Sequence, residues 1–319
     1  MAAAAWPALA WTGTLRAQVK PPVVIGWLNA NSREPSLAGL AAFNEGMAAL
    51  GWKLGAQYVL EERYADGRLD RLPALAQELA AKHPAVIVAV PSPAAGAAAA
   101  AAPTTPVVLA NGDPLTFGLV TSLARPGGMI TGLSNVSADL NQKVIDLLVE
   151  AVPKLQRVGL LADSATPRLG IFTTSALRAA ERLRVEAVVA DVARPDDIEP
   201  AIERLAKATV QSLVILSTTW GTGHFPTIVS LALAQRWPVV GTLASIPRLG
   251  GLLSYGPDRN ALQRRAAYYV DRILKGAKPG DLPIEQPTTF EMVLNMKTAK
   301  TLGITIPQSI WLRATEVIE

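Results

Sequence analysis

Residues 61–92 read EERYADGRLDRLPALAQELAAKHPAVIVAVPS, and residues 189–219 read VADVARPDDIEPAIERLAKATVQSLVILSTT. Each leaves a strand-like end through a turn, enters an apolar pattern at helical spacing, and closes with an unbroken apolar run. Apolar residues three and four apart cover one face of a helix. A short continuous apolar run fits a strand covered on both faces of a parallel sheet. The two stretches align strand to strand and helix to helix, a symmetry too degenerate for a short solenoid repeat. It suits two similar α/β lobes.

The alternation continues outward from both copies. Residues 23–28 and 58–64 predict strands around a helix at 37–50, which Gly51 ends. Residues 69–82 predict a helix and 85–90 a strand. The Ala-rich segment 93–102 predicts a helix, and 107–110 a strand with a short helix-like stretch after it. The second set has strands at 157–163, 186–192, 213–217 and 239–242, with helices at 169–183, 196–208 and 224–235. Residues 252–319 hold a strand, a helix at 260–274 and a polar, Pro-containing run back across the molecule. Strand, helix and strand in turn argue for right-handed βαβ units in open sheets. The expected division is an N-terminal lobe over 18–135, completed by part of 282–319, and a C-terminal lobe over 136–281.

Composition agrees with two domains: the chain has 319 residues and half of them are hydrophobic. The formal charge is +4, but Lys and Arg are scattered and Arg264-Arg265 is the densest pair. A nucleic-acid protein would concentrate them on one face. Cysteine is absent, which excludes thiol catalysis, cysteine-bound zinc, disulfides and a cysteine-linked lipid anchor. Residues 1–10 (MAAAAWPALA) are small and apolar, and Leu15-Arg16-Ala17 offers a cleavage point before Gln18. Residues 1–17 are therefore expected to be the remnant of a secretory signal, the alternative being a frayed Ala-rich tail. No later stretch reaches the ~18 apolar residues of a membrane span. The expectation is a soluble periplasmic protein.

Catalytic equipment is sparse. The chain has two histidines; His83 precedes Pro84 and His224 starts a helix, which leaves little for a metal site or a triad. No nucleophile elbow, P-loop or zinc-protease motif occurs. Gly221-Thr222-Gly223 lacks the third glycine of a dinucleotide fingerprint. No enzyme, cofactor or metal is expected.

The strand ends say more. Ligands of open α/β sheets sit beyond the carboxyl ends of the strands. There this chain places Asn29-Ala30-Asn31-Ser32, Ser92-Pro93, Asn111-Gly112-Asp113, Ser134-Asn135, Ser164-Ala165-Thr166 and Thr218-Thr219-Trp220. Each alone reads more readily as an ordinary cap or turn residue than as a ligand group. Together they mark one polar rim.

Several phrases carry a resemblance: Tyr64-Ala65-Asp66-Gly67 with Asp70-Arg71-Leu72-Pro73, then Gly112-Asp113-Pro114, then Leu123-Ala124-Arg125-Pro126-Gly127-Gly128. Ser254-Tyr255-Gly256-Pro257-Asp258, Ile273-Leu274-Lys275-Gly276-Ala277-Lys278-Pro279 and Leu282-Pro283-Ile284-Glu285-Gln286-Pro287 follow in order. Over residues 18–319 the chain resembles the bacterial ABC-transporter substrate-binding proteins related to tryptophan- and phenylalanine-binding periplasmic components. The resemblance implies a type I periplasmic-binding-protein fold: two Rossmann-like lobes, joined by three crossings, that close on a small ligand. It also implies an ABC permease with its ATPase as partners. A monomer is expected, with no nucleic acid and no membrane span. Departures concern the pocket: Ser92-Pro93-Ala94-Ala95 replaces a common Thr-Pro-Ala-Ala, Thr116-Phe117 stands where relatives have small residues, and Met129 where Asn is frequent.

The expected ligand-binding set is Asn29, Ser32, Ser92, Ala94, Asp113, Ser134, Ser164, Thr218, Thr219 and Ala244. Ser92 as N-cap, with Pro93 at the first helical position, would present free N–H groups to a carboxylate. Asp113 on the neighbouring strand end would meet an ammonium. The competing reading has Asp113 holding the turn before Pro114. The alternative function is a ligand-sensing module of a receptor or regulator with the same fold.

Overall fold

The computed structural model describes residues 21–135, 137–164, 166, 169–216 and 222–319. The expected signal remnant lies outside them, as do Thr218 and Thr219.

The N-terminal lobe runs β1 (Val23–Asn29), α1 (Arg33–Ala49), β2 (Tyr58–Tyr64), α2 (Leu72–Ala80), β3 (Val86–Val90), α3 (Ser92–Ala101), β4 (Val107–Gly112) and β5 (Ile130–Ser134). Its five strands are all parallel, in the order β2-β1-β3-β4-β5. The expected helix-like stretch after β4 is a series of turns, since Pro114 and Gly118 both interrupt it.

The C-terminal lobe continues with α4 (Ser137–Ala151), β6 (Arg157–Asp163), α5 (Leu169–Arg182), β7 (Glu186–Val192), α6 (Ile198–Lys207) and β8 (Leu213–Ile215). It goes on through α7 (Phe225–Ala234), β9 (Val239–Gly241), α8 (Ser245–Arg248) and β10 (Leu253–Pro257). Then come α9 (Arg259–Leu274), β11 (Phe290–Asn295), α10 (Met296–Leu302), α11 (Gln308–Trp311) and β12 (Glu316–Ile318). The second sheet has the order β12-β11-β10-β9-β8-β6-β7, with β11 antiparallel to β10. The two aligned sequence stretches thus occupy matching places, β2-α2-β3 in one lobe and β7-α6-β8 in the other.

Burial follows the two-residue period of the strands. Ile25, Trp27, Val86 and Val88 pack under α1 and α9, whereas Leu28, Ile87 and Ala89 pack under α2 and α3. The second sheet divides likewise, with Leu160 and Val214 on the α4 side and Leu161 and Ile215 on the α6 and α7 side.

Two lobe assignments differ from expectation. Helix α9 packs on α1 of the N-terminal lobe, the most extensive helix pairing among the described residues. Gly39 and Gly46 make this possible: a Cβ on Gly39 would strike the Gln263 amide, and one on Gly46 the Arg264 carbonyl. Conversely β11 and β12 extend the C-terminal sheet and do not complete the N-terminal one. Between α9 and β11, Glu285 pairs with the edge of β5, exchanging backbone bonds with Ser134 (2.8 Å) and Gly132 (3.0 Å). The chain therefore crosses between lobes after β5, between β10 and α9, and between Glu285 and β11.

Candidate functional site

A cleft lies between the carboxyl ends of the two sheets and is lined from both lobes. The N-terminal wall is built first by β4. A Cβ at Gly112 would collide with Ser92 Oγ, so glycine lets the start of α3 come against the end of β4. The Asp113 N–H then donates to Ser92 Oγ at 2.8 Å, a bond buried from water. Asp113 is 8% exposed, and its Oδ1 accepts the Thr116 N–H at 3.1 Å. It therefore holds its turn, as the competing reading had it, and lines the cleft as well.

The expected cap differs. The N-cap of α3 is Pro91, after a cis Val90–Pro91 bond, and Ser92 is already helical. Pro91 and Pro93 have no N–H, and those of Ala94 and Ala95 donate to the Pro91 carbonyl at 3.0 and 3.3 Å. Of the donors in the first turn, only that of Ser92 is left for a ligand. This helix start is poorly furnished for a carboxylate.

The cation of the wall comes from elsewhere. Arg259 is the first residue of α9, directly after the Asp258 N-cap, whose Oδ1 accepts the Ala261 N–H at 3.0 Å. A cation at a helix N-terminus opposes the dipole, so local helix energetics do not favour arginine there. Its side chain instead reaches the end of β4. With the Asn111 amide oriented to satisfy its neighbours, Asn111 Oδ1 accepts from Arg259 Nε at 2.9 Å and Nη2 at 2.7 Å. The Asn111 amide nitrogen lies 3.0 Å from that of Asn135, and the Asn135 N–H donates to the Gly112 carbonyl at 2.7 Å. Arg259 keeps some accessible surface at the cleft, yet surrounding protein presses its pKa below the ordinary arginine range.

The C-terminal wall is apolar. Leu140 of α4, Phe172 of α5, Leu216 after β8, Phe225 of α7 and Leu243 and Ile246 around α8 form it, with Thr166 and Thr242 between them. Thr166 Oγ1 is buried and has no hydrogen-bond partner among the described residues. Phe117 reaches across from the N-terminal lobe to Phe172, with ring centroids 6.4 Å apart and planes at 44°. The two lobes therefore approach each other across the cleft at this ring pair.

Of the expected set, Ser92 and Asp113 line the cleft. Asn29 is buried and accepts the Asn31 N–H at 2.9 Å; it is Asn31 that lines the cleft. Ser32 caps α1 at the rim, and its carbonyl accepts the Ser36 hydroxyl. Ala94 is buried within α3, and Ser134 is buried at the end of β5. Ser164 is exposed after β6, while Thr166, two residues on, lines the cleft. Ala244 precedes α8, and its neighbours Leu243 and Ile246 line instead. Where an expected residue does not line the cleft, a neighbour one or two positions along the same loop does so at Asn31, Thr166, Leu243 and Ile246.

Missed altogether were Arg259, Phe172 and Phe225, while Asn111 and Asn135 were placed on the rim but not in the expected binding set. Arg259 adjoined a quoted phrase, and its helix-start position against the dipole was the available signal. Phe172 and Phe225 read as ordinary core residues of amphipathic helices.

A family model described as ABC transporter substrate binding protein matches residues 24–318. The Tyrosine-binding protein of Clostridioides difficile (strain R20291) is 24% identical over 256 residues, 80% of this chain and 73% of its own length. The ABC domain from Streptococcus pneumoniae, crystallised in complex with L-Trp, is 26% identical with a TM-score of 0.86, over 93% of this chain and 100% of that one. A conserved domain protein from Vibrio cholerae O1 biovar El Tor is 24% identical with a TM-score of 0.87, over 92% and 99% of the two chains. The fold is that of the type I periplasmic binding proteins. No helix of the described residues is long and apolar enough to cross a membrane.

Proposed function

The chain belongs to the ABC transporter substrate-binding protein family, and we propose that its cleft captures an α-amino acid with a large apolar side chain. The observation that carries this is the division of the cleft: Asp113 and Arg259 stand on one wall, and Phe172, Phe225, Leu216 and Ile246 form the other. A zwitterionic head needs the first surface and a hydrocarbon or aromatic side chain the second. The S. pneumoniae relative holds L-Trp and the C. difficile relative is named for tyrosine, ligands of this build. Phe117 stands inside the cleft where the resembling proteins carry small residues, so the side-chain pocket has its own shape.

Binding proceeds by closure. The ligand meets both walls only when the lobes are together, so it shifts the population toward the closed state. The closed complex then delivers the amino acid to a membrane permease driven by its ATPase. The protein works as a monomer in the periplasm after removal of the leader near Ala17. Native mass spectrometry of freshly purified protein identifies the retained ligand. Small-angle scattering should then show a smaller radius of gyration when that ligand is returned to stripped protein. An unchanged profile at saturation would sink the clamp.

A further inference from the structure

Arg259 is a guanidinium set among protein groups with only a neutral amide to hold it. Its Nε and Nη2 both donate to Asn111 Oδ1. Among the described residues it has no ion-pair partner, although they contain many arginine–carboxylate bridges, all elsewhere. A charge withdrawn from water without a counter-ion is costly unless something supplies one. Asp113, on the same wall, likewise has no cation within salt-bridge reach among the described residues; its contacts are with backbone N–H groups. Among the described residues, the cleft is thus lined by one cation and one anion, and neither has an ionic partner there.

We propose that Arg259 is the anion anchor of the cleft. The Nη1 edge, which has no protein acceptor among the described residues, takes the ligand's carboxylate, and Asp113 takes its ammonium. Charge-assisted arginine–carboxylate bonds are short and directional, which a helix start with one free N–H does not match. Arg259 also sits where the chain crosses from β10 to α9. The carboxylate is therefore held beside a strand of the hinge, by the N-terminal lobe alone, before the apolar wall closes. This rests on the reading of the cleft as an amino-acid site.

The test is a thermal-shift screen of the full chain with the twenty L-amino acids, indole-3-propionate, glycerol and myo-inositol. Calorimetry then follows on wild type, Arg259→Gln and Arg259→Lys. For the amino acid that binds, its decarboxylated amine (tryptamine for L-tryptophan) should bind wild type roughly 10- to 100-fold more weakly. Arg259→Gln should lose a similar factor for the amino acid but little for the amine, so that the two affinities converge. Arg259→Lys should recover part of the loss. A merely structural arginine would weaken both ligands alike, and that result, or an Arg259→Gln affinity within threefold of wild type, overturns the anchor. If indole-3-propionate binds, no amino acid does, and Arg259→Gln abolishes binding, the anchor stands and the amino-acid reading falls. If no carboxylate raises the melting temperature, the anchor is overturned.

Discussion

Laid side by side, β2-β1-β3-β4-β5 and β7-β6-β8-β9-β10 follow one order, yet their carboxyl ends differ residue by residue. Strand β4 ends in Asn111-Gly112 with Asp113 behind it; its counterpart β9 ends in Gly241, with Thr242 and Leu243 behind it. After β3 comes Ser92, bound to the Asp113 N–H; after β8 comes Leu216. One architecture was filled twice, with hydrogen-bonding and charged groups in one copy and apolar groups in the other. A fold sets where a site lies, and the side chains at its strand ends set what the site can hold. The contrast also orders events. The polar wall is assembled within the N-terminal lobe, with α9 supplying Arg259, so that lobe can hold a ligand's head before closure. The apolar wall adds its contribution only when water is expelled.

Asp113→Asn tests the polar wall most severely. It preserves shape and leaves an oxygen for the Thr116 N–H, but removes the charge. A charge-assisted contact in a closed cleft is worth roughly 1.5–3 kcal/mol, so affinity should fall about ten- to a hundredfold by calorimetry with little change in Tm. A large drop in Tm with affinity intact would make Asp113 a turn-holding residue only.

Phe117→Ala probes the one aromatic residue that the polar lobe sends across. Its tilted pairing with Phe172 contributes about 0.5–1.5 kcal/mol beyond area, and part of that closes the lobes. Affinity should drop roughly three- to tenfold, with scattering at saturation still showing closure. Tighter binding of a bulkier amino acid would instead show that Phe117 acts chiefly as a size filter.

Thr166→Val is the mildest change and concerns the apolar wall. The buried Thr166 hydroxyl has no partner among the described residues, so its loss should leave stability the same or slightly higher. If the apolar wall recognises only hydrocarbon, affinity should stay within about threefold. A tenfold loss would reveal a polar contact on that side and blur the contrast between the walls.

Much of the fold was legible in the residues. The strands at 58–64, 157–163 and 186–192 match expectation to the residue; at 157–163 an apolar run bounded by turns has few other ways to bury its backbone. The family, too, is declared by local phrases such as Gly112-Asp113-Pro114. The tail misled. Residues 290–295 and 316–318 are short strands without strong alternation, and only the pairing of β11 with β10 and of β12 with β11 makes them strands.

The candidate site was half legible. Ser92 and Asp113 announced themselves because polar residues after a buried strand have no local reason to be apolar, and the strand's end fixes where they emerge. Arg259 and Phe172 did not, for opposite reasons. Arg259 sits 148 positions after Asn111 in the chain (259 − 111), and only the return of α9 across the lobe boundary brings it to β4. Phe172 obeys the same helical spacing as any core residue, and whether it faces a core or a cleft depends on the other lobe. The sequence by itself determined two α/β lobes built from βαβ units and pointed to a polar rim at their strand ends. Tertiary structure alone decided which lobe α9 joined, how the charges were shared between the walls, and which loop residue turned inward. Strand and helix are chosen by neighbours a few residues apart, whereas a cleft is assembled from groups whose separation along the chain says nothing about their separation in space.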